Sequence, residues 1–389
     1  MHVAFLIPTV DRIGGAEQQV LSLARGLAAR GWRISVVTLS GTGGDGAAEL
    51  RSRNIDFLTL QMRKGLADPR GWIQLHRWIR SNQPDVLHAH LPHAGLMARW
   101  SRFLAPTRLL VETIHSPASG GALRRLGYGC SPRQADLITA VSRAAAEPWL
   151  AAGLVQAPQL AVISNGIDVD RWKRDPAARL DMRRKLGLDG EFVWLAVGRL
   201  DPVKDHATLL RAFARLPENA RLLIAGTGPL ESDLRHLAAK LGIASRVQFL
   251  GFQTDVLPWM QVADAFVLTS RWEGLPLAFL EAAASELPAV CTDIPAIREL
   301  AGALPGHALT PIGDCDALAT AMQEMMRLSE ADHRGIGRRM HDLVAMRFRI
   351  QNVLDQWEEI YRALLRLKPH PTRSGMPDSA RSDKTLQLQ

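Results

Sequence analysis

Short apolar runs alternate with longer amphipathic stretches along most of the chain. Residues 3–7, 34–39, 86–90, 109–114, 137–140 and 160–163 are rich in valine, isoleucine and leucine and are predicted as strands. Between most of them, residues 16–29, 72–79 and 144–152 space their apolar positions as helices do. Continuous apolar strands followed by helices predict a parallel sheet covered on both faces. The pattern restarts after the turn signal Asn165-Gly166-Ile167-Asp168 and a charged stretch at 170–184. New strands are predicted at 192–197, 222–225, 247–250, 265–268 and 289–291, with helices near 207–216, 230–241 and 277–284. A long helical pattern covers 340–367, broken near Arg349, and a polar tail with Pro371, Gly375 and Pro377 is predicted to be disordered.

The fold class expected is therefore α/β, with two Rossmann-like domains. The N-terminal domain spans 1–167 and is joined by the C-terminal helix 350–368; the second domain spans 168–349, and the tail is 369–389. Open sheets of this kind bind ligands beyond the carboxyl ends of their strands, so two such domains facing one another would share a cleft.

Composition changes this picture little. The 389 residues are 47% hydrophobic and 22% charged, as in soluble globular chains. No apolar run reaches the roughly 18 residues that span a bilayer. Residues 1–8 lack a basic region and a cleavage site, and are expected to be a strand rather than a signal peptide. Cys130, Cys291 and Cys315 are too few and too scattered for a disulfide framework or a zinc site, and fit the reducing cytoplasm.

Charge changes it more. Residues 1–167 hold 18 basic and 10 acidic residues, whereas 168–389 hold 29 of each, so the whole excess of +8 lies in the N-terminal half. Arg99, Arg102, Arg108, Arg124, Arg125 and Arg133 are opposed there only by Glu112, and Leu123, Leu126 and Tyr128 are interleaved with them. Such a mixture fits an anionic membrane surface reached through Arg99, Arg102, Arg124 and Arg125. It also fits an ordinary solvated face, and the sequence leaves both open.

The segment most informative about chemistry is Ser270-Arg-Trp-Glu-Gly-Leu-Pro-Leu-Ala-Phe-Leu-Glu281, between a strand and an alanine-rich helix. Pro276 suits the first helical turn. Glu273 falls in the loop and Glu281 on the helix, where carboxylates can accept hydrogen bonds from a vicinal diol beside a helix N-terminus that favours phosphate. Arg199 and Lys204 follow another strand; a fork and a point charge there suit a diphosphate. Gly14-Gly15 and Gly226-Thr227-Gly228 are turns whose bare backbone can approach phosphate closely. Two solvated glutamates and two surface cations remain the plain alternatives.

Other patterns carry less. Gly41-Thr42-Gly43-Gly44-Asp45-Gly46 matches a dinucleotide fingerprint without the long apolar helix it needs, and reads as a flexible surface loop. Asp168-Val-Asp170 and Asp314-Cys-Asp316 resemble metal-binding pairs but fit turn and capping roles better. His88, His90 and His93 resemble a metal cluster but lack a carboxylate partner, which favours packing. No metal or other cofactor is expected.

Taken in order, GGAE, His115 after a strand, NGID, GRL…K, GTGPLE and the E-x7-E segment resemble the retaining glycosyltransferases of family four, which have the GT-B fold. The likeness covers roughly residues 1–365. It implies a nucleotide-sugar donor whose diphosphate is bound by Arg199 and Lys204, with Gly14, Gly15, Gly226, Gly228, Gly274, Leu275 and Leu277 lining the donor site. It further implies that Glu281 binds the ribose, that Glu273 binds the transferred sugar, and that His115 contacts the sugar beside its reacting face. The chain departs from the commonest family pattern at Leu275-Pro276, which bears on the donor and not on the class. The expected reaction is transfer of a hexose or N-acetylhexosamine, with a uridine diphosphate sugar favoured, to a glycan or lipid-linked acceptor, on the cytoplasmic side of a membrane or in the cytoplasm. A sugar-nucleotide epimerase or hydrolase of the same fold, or a non-catalytic nucleotide-sugar-binding subunit, is the alternative. No nucleic acid is expected as a partner.

Overall fold

Strand β1 (His2–Ile7) is buried at every position, as a strand covered by helices on both faces must be. The computed structural model describes residues 1–11, 13–63, 68–118, 120–131, 133–301 and 308–368; the tail expected at 369–389 lies outside the described residues. After β1 come α1 (Gly15–Ala29), β2 (Arg33–Thr38), α2 (Gly44–Ser52), β3 (Asp56–Thr59), α3 (Pro69–Asn82) and β4 (Val86–His90). Then follow α4 (Pro92–Ser101), β5 (Leu109–Ile114), α5 (Ala122–Gly129), β6 (Leu137–Ala140), α6 (Arg143–Ala151) and β7 (Leu160–Val162). The seven strands lie in the order β3-β2-β1-β4-β5-β6-β7, all parallel. The order reverses between β1 and β4, which makes their carboxyl ends the switch point of this sheet.

The second sheet is built the same way. It follows α7 (Pro176–Leu186) and contains β8 (Phe192–Val197), α8 (His206–Phe213), β9 (Ala220–Ala225), α9 (Glu231–Lys240), β10 (Val247–Gly251), α10 (Leu257–Val262) and β11 (Ala265–Leu268). α11 (Leu277–Ala284), β12 (Ala289–Thr292), α12 (Pro295–Ala301), β13 (Ala308–Thr310), α13 (Cys315–Arg327) and α14 (Glu330–Arg347) complete it. Its parallel order is β10-β9-β8-β11-β12-β13, with the reversal between β8 and β11. Trp194, Leu222, Ile224 and Val267 of the strands are buried against Leu209, Phe213, Leu318 and Met322 of α8 and α13. Each such side chain contributes about 1.5–3 kcal/mol through burial.

By its contacts the chain divides into Met1–Gly166 with the segment from Gln351, and Ile167–Ile350. Phe348 and Arg349 break the long C-terminal helical pattern, and α15 (Ile350–Leu367) follows. Val353, Leu354, Trp357, Ile360, Tyr361 and Leu365 form its buried stripe. Tyr361 and Trp357 reach His88 on β4, and Arg30 beyond α1 is 2.6 Å from Asp355.

Two of the arginines expected on a membrane-facing surface are internal. Arg99 is fully buried; its Nε donates to Glu112 at 2.7 Å, its Nη1 to the Ser131 carbonyl, and its guanidinium covers the Tyr128 ring. Arg102 is mostly buried, donating to the Gln134 carbonyl and pairing with Asp136 at 2.8 Å. Both cations are neutralised inside the unit, so Arg99 and Arg102 cannot meet a lipid surface. Arg125 is exposed, and Arg124, half-buried, donates to His93.

The glycine run at 41–46 also differs from a flexible loop. Gly43, in the left-handed region, caps α2, which begins at Gly44, and the Asp11 carboxylate accepts from the Thr42 and Gly43 amides.

Candidate active site

The switch point of the second sheet gathers charged side chains from two loops. The loop after β8 carries Gly198, Arg199, Asp201 and Lys204; the loop after β11 carries Thr269, Ser270 and Glu273. The loops are tied by the backbone, since the Arg271 amide donates to the Val203 carbonyl at 2.8 Å and the Thr269 hydroxyl to the Lys204 carbonyl at 2.8 Å. Between them, Lys204 Nζ lies 2.5 Å from Glu273 Oε1, and the Ser270 hydroxyl donates to the same oxygen at 2.6 Å. Both ions are largely shielded from solvent, with side-chain exposures of 22% and 12%, so their attraction is screened less than that of a surface pair.

Arg199 does not join this pair. Its side chain is 77% exposed and holds Asp201 at 2.7 Å. Asp201 in turn shapes the loop, accepting from the Val203 and Lys204 amides. Asp205, at φ 48°, caps α8 and pairs with Arg271 at 3.1 Å. Asp201, Asp205, Ser270 and Arg271 escaped the sequence reading. The polar run DPVKD around Lys204 was the available signal, because acids flanking a cation before a helix are loop-shaping and capping residues.

α11 starts at the same edge. Pro276 stands at its cap position rather than within the first turn, no side chain caps it, and the first turn holds no acid. Four residues beyond Leu277, the first residue of the helix, Glu281 is half-buried and has no hydrogen-bond or ion-pair partner among the described residues. Burial raises its pKa to about 8, with Asp255 adding to the shift and Arg171 opposing it. Gly274, Leu275 and Leu277 are buried.

Gly226 and Gly228 are needed by the protein's own backbone. A Cβ at Gly226, where φ is 144°, would lie 1.9 Å from the Gly198 carbonyl oxygen; one at Gly228 would lie 2.2 Å from that of Leu200. The turns after β8 and β9 therefore touch main chain to main chain, joined by bonds such as Leu200 N to Thr227 O at 3.0 Å.

In the N-terminal unit, Gly14 caps α1 and Gly15 is its first residue, with the Glu17 carboxylate accepting from the Gly14 amide at 3.1 Å. His115 follows β5, and its Nε2 is 2.9 Å from His90 Nδ1. His90 stacks on His88 with ring centroids 4.1 Å apart, and His88 is held by the Tyr361 hydroxyl at 2.6 Å and by Thr113 at 2.7 Å. Desolvation lowers the pKa of His88 and His90 well below the usual imidazole range and that of His115 to about 4. All three are neutral at physiological pH. His93 stands apart from them, bonded to Arg124.

The aspartate pairs serve local structure. Asp314 caps α13, accepting from the Asp316 and Ala317 amides, while Asp170 pairs with Arg349 and with Lys173. Among the described residues, no group of three or more histidine, cysteine or acidic side chains is arranged to hold a metal ion.

Two family models match the chain: Glycosyltransferase Family 4 over residues 13–171 and Glycosyl transferases group 1 over residues 178–338. The chain is 28% identical over 249 residues to the UDP-Gal:alpha-D-GlcNAc-diphosphoundecaprenol alpha-1,3-galactosyltransferase of Escherichia coli, covering 59% of this chain and 63% of that one. It is 33% identical over 216 residues to the GDP-mannose-dependent alpha-(1-6)-phosphatidylinositol monomannoside mannosyltransferase of Mycobacterium tuberculosis strain H37Rv, covering 50% and 54%. The chain thus matches between half and two thirds of the length of these two relatives. Its fold resembles that of Anabaena Alr3699/HepE, solved in complex with UDP-glucose, with a TM-score of 0.83 at 22% identity over 93% of this chain and 99% of that one. One family model falls on each sheet, on either side of the passage from one unit to the next, and both describe the same class of enzyme: the chain belongs to the group 1, family-four glycosyltransferases and has their GT-B fold.

Proposed function

We propose that the protein is a retaining transferase that moves a hexose or N-acetylhexosamine from a uridine diphosphate sugar to a glycan or lipid-linked acceptor in polysaccharide or glycoconjugate biosynthesis. The observation that carries this reading is the Lys204–Glu273 pair beside the uncapped start of α11, with Glu281, which has no partner among the described residues, on the same helix. A diphosphate draws Lys204 to itself, recruits the exposed Arg199 fork, and accepts from the α11 amides. Glu273, released from Lys204, then accepts from hydroxyls of the transferred sugar, and Glu281 takes the ribose diol. Uridine is favoured because the galactosyltransferase and the HepE complex both carry it in their names, while the mannosyltransferase is named for GDP-mannose.

The chemistry follows from where charge develops. The bond from the anomeric carbon to the diphosphate oxygen breaks as the acceptor oxygen bonds to the same face of the sugar. The acceptor's proton passes to the departing diphosphate. Lys204, Arg199 and the helix N-terminus stabilise the growing negative charge, an effect worth about 3–4 kcal/mol per well-placed donor. Two cations at the diphosphate do the work of a divalent ion, so activity undiminished by a chelator is the expected result. His115, neutral and held through His90, is suited to contact a sugar, and Gly14 and Gly15 offer bare backbone to a phosphate. The acceptor is membrane-proximal, in keeping with the basic excess of the N-terminal half.

A nucleotide-sugar panel read by thermal shift tests the donor, because a ligand at about a hundred times its Kd stabilises by about 2.7 kcal/mol. A uridine diphosphate sugar should shift the transition, and Lys204→Ala and Glu281→Ala should abolish the shift while remaining folded. Wild-type donor affinity in both variants would sink the site. Nucleotide release that ignores acceptor would replace transfer with epimerase or hydrolase chemistry, and binding without turnover would make the chain a non-catalytic subunit.

A further inference from the structure

We propose that α5, the end of α4 and the outer side of α3 form a surface that docks on an anionic lipid bilayer, with leucine and aromatic side chains inserted and arginines at the headgroups. This rests on the membrane part of the reading above and not on its transfer chemistry. A surface helix ordinarily turns its leucines inward. α5 does the reverse: Leu123 is 87% exposed and Leu126 63% exposed, and Tyr128 is the residue it buries. Beside it, Trp100, Phe103 and Leu104 are exposed at the end of α4, and an apolar groove joins Trp100, Leu104 and Leu123 to Trp72 on α3. Exposed aliphatic and indole groups clustered on one face mark an interaction surface, and tryptophan favours the level of lipid headgroups.

Charge selects the partner. Residues 69–135 hold nine arginines and two acids, and of the nine Arg99, Arg102 and Arg108 are engaged inside the unit. Both acids are engaged inward, Glu112 by Arg99 and Asp85 by Arg108. Arg77, Arg80, Arg124 and Arg125 have no carboxylate partner among the described residues; Arg80 donates to the Leu104 carbonyl at the groove's edge, and Arg124 to His93. A second copy of the chain would set this positive face against itself, which like-charge repulsion opposes. A nucleic acid would use the arginines and leave the leucines in water. A bilayer with anionic headgroups satisfies both.

The test is co-sedimentation of the full chain with vesicles of phosphatidylcholine alone and of equal parts phosphatidylcholine and phosphatidylglycerol. Binding should need phosphatidylglycerol and weaken with salt. Leu123→Ser/Leu126→Ser and Arg124→Ser/Arg125→Ser should each lower partitioning by about tenfold or more, with the unfolding temperature and the donor-induced thermal shift unchanged. Full binding by both variants would overturn the assignment of this face, as would binding to neither kind of vesicle. A wild-type dimer that Leu123→Ser/Leu126→Ser dissociates would overturn it in favour of self-association. Vesicle binding without any donor-induced shift would sink the transferase site alone.

Discussion

Lys204 and Glu273 neutralise each other across two loops at the carboxyl ends of the adjacent strands β8 and β11, nitrogen to oxygen 2.5 Å. Sixty-nine residues separate them in sequence. Under the proposed function, the pair would let a carboxylate stand where a diphosphate binds without repelling it. Lys204 would hold Glu273 before the donor arrives, and afterwards the two charges would serve different parts of one ligand.

Replacing Glu273 by glutamine separates these duties. Glu273→Gln keeps the shape and the bond to Ser270 but leaves Lys204 without its counter-ion. Affinity for uridine diphosphate should be unchanged or rise by about threefold, whereas transfer should fall by about a hundredfold. Isothermal titration with the nucleotide and a transfer assay check the two halves. A parallel loss of both would mean that Glu273 only braces the loop.

Glu281 makes stability pH-dependent. Its carboxyl is raised from an ordinary value of 4.5 to about 8, so between those values the folded protein holds a proton that the unfolded chain has lost. Stability contributed by this group therefore falls as pH rises from 4.5 to 8 and levels off above. Glu281→Gln, neutral throughout, removes the slope. Relative to wild type its unfolding temperature should rise by about 10 °C from pH 5 to pH 9, corresponding to roughly 4 kcal/mol for a unit of this size. A constant difference across that range would show that the carboxyl titrates normally.

The sheets were readable because their strands are unbroken apolar runs, and runs such as Val86–His90 match the observed strands residue for residue. Elements without such a signature were not. β3 is a four-residue edge strand with polar ends, β13 has three residues, α7 has five charged residues among its eleven and buries none, and α2 starts within glycines. The site shows the same boundary. Residue types marked Arg199, Lys204, Glu273 and Glu281, but which charges pair depends on loops that meet only through strand order. Arg99 shows the limit most plainly: a count of cations placed it at the surface, whereas Glu112, thirteen residues away, holds it in the core.

Gly226 separates structural from ligand-binding demand for a glycine. Alanine there must hold φ 144° with its Cβ pressed on the Gly198 carbonyl oxygen, so the turns after β8 and β9 have to part. Gly226→Ala should cost about 3 kcal/mol or more. Gly242 also has positive φ, but nothing lies within 4 Å of a Cβ there, and Gly242→Ala should cost only about 1 kcal/mol. Chemical denaturation compares the two, and equal losses would refute the role of backbone contact.

The histidine stack sets the acid sensitivity of the N-terminal unit. His88 and His90 are buried and His115 half-buried, and all three are neutral, with folded pKa values depressed below the ordinary 6.5. Below pH 6.5 the unfolded chain takes up protons that the folded unit refuses, so stability falls with acidification and is recovered as pH rises toward 6.5. With a folded value of about 4, His115 alone loses about 2 kcal/mol at pH 5 relative to pH 7, and His88 and His90 add to the loss in the same direction. His90→Asn keeps a polar group near His115 and removes one titrating ring, so the fall in unfolding free energy between pH 7 and pH 5 should shrink. Tyr361→Phe removes the hydroxyl bonded to His88 and leaves every titrating ring in place; it should lower stability by about 1 kcal/mol at both pH values. Denaturant titrations of the two variants and the wild type at pH 7 and pH 5 distinguish these effects. An unchanged pH dependence in His90→Asn would place the acid sensitivity outside the stack.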